Sequence, residues 1–189
     1  MTATDPHALL EALTEELVRA GFTREPDPAL APATGIGRAT HRLLTSPDAA
    51  ARIHATAYRF GELQATIHGL DPRGQVRAPV WRAGTAALPA SALIQAARAA
   101  AEPGTAPIDA WLEEAGWDLD DCEYEGPRLL EARWANPERT RSASYLAPDE
   151  PFEPGGWLIT RPDQQSVRAH LDATAATPAA VIAALALTD

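Results

Sequence analysis

Thr85-Ala86-Ala87-Leu88-Pro89-Ala90-Ser91-Ala92-Leu93-Ile94 returns later in the chain as Thr174-Ala175-Ala176-Thr177-Pro178-Ala179-Ala180-Val181-Ile182. Two more pairs share nearly the same separation. Arg42-Leu43-Leu44 matches Arg128-Leu129-Leu130, and Arg52-Ile53-His54-Ala55-Thr56-Ala57-Tyr58 matches Arg139-Thr140-Arg141-Ser142-Ala143-Ser144-Tyr145. One long separation, used once in 189 residues, implies two copies of a structural unit rather than a solenoid of many short repeats. Residues 1–104 then form the first repeat and 105–189 the second. Each half is too short to bury much core alone, so one compact body is expected.

Working outward, Asp5-Pro6 has the form of a helix start, and Leu9, Leu10, Leu13, Leu17 and Val18 recur at helical spacing up to Gly21. From Arg38 the period changes to two. Strands are expected at about 38–46, 51–60, 62–69 and 76–83, with turns at Ser46-Pro47-Asp48, Phe60-Gly61 and Asp71-Pro72-Arg73-Gly74. Pro79 marks the fourth as an edge strand. A helix from about Pro89 to Ala101 completes the unit.

The second unit repeats the order. It has a short helix from Pro107 to Ala115, an acidic loop at 118–125 and strands at about 127–135, 139–147, 156–161 and 166–173. A last helix is expected to be capped by Thr177-Pro178. The fold class is therefore α+β: a duplicated unit of helix, four antiparallel strands and helix, with each sheet covered by helices.

The chain carries a net charge of −10, unevenly placed, and all sixteen of its basic residues are arginine. Residues 35–98 hold eight arginines against Asp48, Glu62 and Asp71, a net of +5, whereas residues 99–125 hold nine acids and no base. Cys122 is the single cysteine, which excludes an internal disulfide and favours a cytoplasmic setting. It stands among Asp120, Asp121, Glu123 and Glu125, where an unreactive thiol is expected. Met1-Thr2-Ala3-Thr4-Asp5 has the features of no secretory leader, and no apolar run reaches the ~20 residues of a membrane helix.

Arg42-Leu43-Leu44-Thr45-Ser46-Pro47-Asp48, followed by strand material and a Thr-Pro-led helix such as Thr177-Pro178-Ala179-Ala180-Val181-Ile182-Ala183-Ala184-Leu185, resembles the actinobacterial domain of unknown function 317 family of Streptomyces and its relatives. The similarity covers about 38–101 and 116–188. The second copy departs from it where Glu131-Ala132-Arg133-Trp134-Ala135-Asn136-Pro137 replaces the shorter Ser-Pro-Asp turn. The resemblance implies no activity.

Strand alternation sorts the first sheet into two faces. Ala39, Leu43, Ile53, Ala55, Ala57, Leu63, Ala65, Ile67, Val76, Ala78 and Val80 form the expected core face. Arg38, Arg42, Arg52, His54, Tyr58, Gln64, His68, Arg77 and Trp81 fall on the other, with Arg139, Arg141 and Tyr145 at matching places in the second copy. Guanidinium groups interleaved with flat rings suit single-stranded DNA or RNA, the former meeting phosphates and the latter stacking on bases. The four-strands-then-helix order is also similar to that of the Whirly, Pur-alpha and transcriptional positive cofactor four class of single-strand binders, which is a likeness of fold alone.

A net negative charge runs against that reading. The alternative is a protein–protein or self-association module, in which the acidic run and the basic sheet set register. Trp111, Trp117, Trp134 and Trp157 are expected in the core and would anchor a partner if exposed. His7, His41, His54, His68 and His170 form no helical metal motif, and no phosphate loop or nucleophile elbow is present. The expectation is a non-enzymatic binding protein without cofactor, metal or membrane attachment.

Overall fold

The computed structural model describes residues 5–26, 39–58, 63–70, 79–86, 89–149, 155–162 and 168–188. In chain order the elements are α1 (Pro6–Arg19), β1 (Thr23–Arg24), β2 (Thr40–Thr45), β3 (Ala51–Ala57), β4 (Leu63–Gly69), β5 (Trp81–Ala86) and α2 (Ala90–Ala101). There follow α3 (Ile108–Glu114), β6 (Asp118–Glu125), β7 (Arg128–Ala135), β8 (Ser142–Leu146), β9 (Gly156–Pro162), β10 (Arg168–Ala173) and α4 (Ala179–Leu187).

The ten strands among the described residues join one antiparallel sheet in the order β1-β2-β3-β4-β5-β10-β9-β8-β7-β6. Two separate sheets were expected. They merge because β5 pairs with β10, setting Gly84 opposite Asp172, with Ala83 opposite Ala173 and Thr85 opposite Leu171. This corrects the edge reading of the fourth strand. Pro79 lies ahead of β5, which is central and begins at Trp81. From either edge inward, the strands occur in chain order, so the sheet is arranged about the Gly84–Asp172 pair.

The acidic run 118–125 is a second correction. It is a strand, β6, paired with β7 through two register shifts, and all eight of its residues are exposed. Asp and Glu are depleted in strands, and an edge exposed on both sides shows no alternation. β1, only two residues long, was also unforeseen.

The helices pack in the order α1, α2, α4, α3. α1 and α2 lie against β2–β4, α4 against β9 and α3 against β6. One core joins them to a single face of the sheet through Leu10, Leu17, Leu44, Ile53, Ile67, Leu93, Leu112, Trp134, Ile159, Ile182 and Leu185. Among the described residues the opposite face carries no helix.

Local chemistry explains the helix ends. Asp5 accepts from the His7 N–H at 3.0 Å, with Pro6 opening α1 as the residues predict. Both α1 and α3 stop at a glycine of positive φ, Gly21 at 95° and Gly116 at 78°. Past each glycine the N–H of an aromatic residue closes back on a leucine carbonyl, Phe22 on Leu17 at 3.0 Å and Trp117 on Leu112 at 2.9 Å. Thr177 does not cap α4: Pro178 holds the cap position. The Thr177 hydroxyl instead donates to the Arg82 carbonyl at 3.3 Å, tying the helix entrance to β5.

Candidate functional site

The helix-free face is built from the residues that alternate away from the core. Backbone pairing places them in rows across the strands. One row runs Leu43, His54, Thr66, Gly84, Asp172, Leu158, Ser144, Arg133 and Asp121. A neighbouring row sets Thr45, Arg52, His68 and Arg82 side by side on β2–β5. Farther along it, Leu146, Glu131 and Glu123 sit on β8, β7 and β6. The face thus has a cationic half and an acidic half.

In the cationic half, His41 Nδ1 lies 3.1 Å from both His54 Nε2 and Thr56 Oγ1. Burial, and then the nearby His41, push the His54 imidazole below its usual range. His68 is lowered as well, first by burial, then by His54, Arg82 and Arg52. Its Nδ1 has no hydrogen-bond partner among the described residues. Arg82 is exposed. Arg52 lies with Nε 3.0 Å from Glu25, whose carboxylate also accepts from Thr45.

Where β5 meets β10, a shallow hollow of about 360 Å³ is lined by Thr66, Arg82, Gly84, Gly155, Asp172 and Thr174. A second hollow lies at the acidic end, among Glu123, Glu125, Glu131 and Asp149, with Arg128 beside them.

The expected site residues divide. Arg52, His54 and His68 share the helix-free face, and Tyr58 follows β3 in the same phase, 42 % exposed. Arg38 and Arg77 lie outside the described residues. Arg42 belongs to the helix-covered face, because it stands opposite Ala55 and its guanidinium is bound by Glu11 of α1. Trp81 is core: it faces Gly69, where a Cβ would collide with its indole, and it is 7 % exposed.

The residues proposed to match in the second half also separate. Arg139 sits in the turn between β7 and β8, bound to Asp120 and Asp118. Arg141 closes that turn through its backbone. Tyr145 packs on the core side, its ring 4.8 Å from that of Trp157. Of the tryptophans, Trp117 and Trp134 are buried, while Trp111 is 37 % exposed on α3.

His41 and Arg82 belong to the face and were missed. Both sit in strands whose alternation is masked by adjacent apolar residues, Leu43-Leu44 in β2 and Val80-Trp81 at the start of β5. Leu44 and Trp81 are the inward members of those pairs. Taking the other member as inward shifts the strand by one residue and exchanges its faces.

Among the described residues no group of three or more His, Cys, Asp or Glu side chains is placed to hold a metal ion. No helix among them is long and apolar enough to cross a membrane. Cys122 is exposed on β6. No family model, curated protein or solved structure matches the chain. The resemblance to the domain of unknown function 317 family therefore rests on the motif residues quoted for it.

Proposed function

We propose that this chain is a non-catalytic binding module that engages an acidic protein surface through the helix-free face of its sheet. The observation that carries the reading is the in-register row Arg52–His68–Arg82 on three adjacent strands. Neighbouring strands lie about 4.8 Å apart, so the row presents donors along a line of roughly 10 Å. Carboxylates on a partner would meet charge-assisted donors there, and arginine offers them a planar fork. The His41–His54 pair beside that row has the Thr56 hydroxyl as its further partner and no carboxylate bonded to it among the described residues, an arrangement suited to binding rather than turnover.

A doubled ancestral unit supports using a sheet face for this purpose. The mirrored strand order and the shared helix–glycine–aromatic closures are what two copies joined at β5 and β10 would leave. Such a sheet has one face for the helices of both copies and one free.

Single-stranded nucleic acid is a second reading, favoured by the same row with Tyr58 nearby. It has fewer residues to draw on, since Arg42, Trp81, Arg139 and Tyr145 are engaged elsewhere. Paired anisotropy titrations with poly-glutamate and with oligo-dT separate the two. Tighter binding of poly-glutamate, lost in Arg52→Gln/Arg82→Gln, supports the protein reading. Tighter binding of oligo-dT, with affinity falling steeply as salt rises, supports the other. Binding of neither probe refutes both.

A further inference from the structure

We infer that the occupant of the helix-free face is a second copy of this chain, stacked sheet to sheet about a dyad that lies between the sheets and runs parallel to the strands. The inference rests on the binding role proposed for this face and adds the identity of the partner.

The palindromic strand order makes the stacking complementary. A dyad along the strand direction lays β5 of one copy over β10 of the other, β4 over β9, β3 over β8 and β2 over β7. Arg82 then approaches Asp172 of the second copy near the centre. The Arg52 side of one sheet meets the Glu131 and Glu123 end of the other, and the dyad repeats both contacts. A dyad across the strands would instead set like halves against each other. The in-plane charge gradient thus selects one of two symmetric arrangements.

Size is also consistent. Ten strands about 4.8 Å apart and roughly six residues long offer on the order of 900 Å². A stable interface uses about 800 Å² per partner. Leu146 and Leu158, 45 % and 38 % exposed, supply apolar contact within that area. The edges are poor alternatives. β6 carries Asp118, Asp120, Asp121, Glu123 and Glu125, which would repel their own copies in a strand-to-strand pair, and β1 is two residues long.

Sedimentation equilibrium on the full chain tests this with two charge-reversed variants, Arg52→Glu/Arg82→Glu and Glu123→Arg/Glu131→Arg. Each variant makes both halves of its face alike, so each alone is expected to dimerise about tenfold or more weakly than the wild type. An equimolar mixture should recover the dimer, because a mainly acidic face then meets a mainly basic one. Arg82→Glu alone, at an exposed position, serves should the double change disturb folding, which circular dichroism checks. A monomeric wild type, or a dimer indifferent to both reversals, overturns the inference. If a monomeric wild type still binds poly-glutamate through Arg52 and Arg82, only the second copy is excluded. If it binds neither, the role of the face fails too.

Discussion

Ser46 and Asn136 do the same work at two places in the sheet. The Ser46 hydroxyl accepts from the Ala51 N–H at 3.0 Å, and the Asn136 carbonyl oxygen accepts from the Arg141 N–H at 2.7 Å. In each turn the third residue on, Ala49 or Arg139, has φ of 57°. Each turn also has an acid two residues on that takes a hydrogen bond from the first side chain, Asp48 at 2.6 Å and Glu138 at 2.9 Å. This equivalence aligns Arg139 with Ala49, not with Arg52, which explains why the second-half arginines do not extend the cationic row.

Removing the Ser46 side chain strands the buried Ala51 N–H, and removing that of Asn136 takes the acceptor from the part-buried N–H groups of Thr140 and Arg141. Ser46→Ala is expected to cost about 1–2 kcal/mol. Asn136→Ala should cost more, since Asn136 also bonds Glu138 and Thr140. Urea denaturation of the two variants checks the order. A neutral Asn136→Ala would contradict the turn's structural role.

The phase of β2 is tested by its adjacent leucines. Leu44 is fully buried, so Leu44→Ala should lose about 2–5 kcal/mol. Leu43 lies on the helix-free face opposite His54, and Leu43→Ala should lose less than about 1 kcal/mol. A larger loss from Leu43→Ala than from Leu44→Ala would mean that the strand's faces are exchanged.

Gly69 leaves room for Trp81. Gly69→Ala places a methyl group inside the indole's contact distance and should destabilise the fold by roughly 1–3 kcal/mol. In a double-mutant cycle, Gly69→Ala/Trp81→Leu should lose less than the two single changes together. Strict additivity would show that the two residues do not touch.

Stability should fall in mild acid. His54 and His68 titrate below the ordinary imidazole value of 6.5 in the folded protein, chiefly through burial. Below that value the unfolded chain takes up protons that the folded one refuses, so stability present above it is lost as pH falls toward the folded values, then levels off. Replacing His68 with Gln should flatten this decline. Imidazole titration by NMR should show His68 rising part of the way back in Arg52→Gln/Arg82→Gln, with the effect of burial remaining. An unchanged His68 in that variant would remove the arginines as a cause.

Much of this fold is legible in the residues. Asp5-Pro6, Gly21, the Ser46-Pro47-Asp48 turn and the alternation of β3 and β4 each act through neighbours in the chain. Ile53, Ala55, Ala65 and Ile67 are inward as the period predicts. What is not legible depends on distant partners. The β5–β10 pairing joins residues nearly ninety positions apart, and β6 is held by β7 despite a composition that disfavours strands. Arg42 looks outward in the sequence because a charged residue next to two leucines suggests a polar face. It is inward because Glu11 waits on α1 to receive it. The candidate site suffers from the same ambiguity, since one-residue phase slips in β2 and β5 exchange Arg42 and Trp81 for His41 and Arg82.

The helix-free face as the binding surface is tested most directly by a ¹⁵N chemical-shift map recorded while poly-glutamate is titrated into the dilute labelled protein. The account predicts that the largest shifts fall on Arg52, His68 and Arg82 and on their row neighbours in β3–β5. Shifts confined to α1–α4, or none at all, would contradict it.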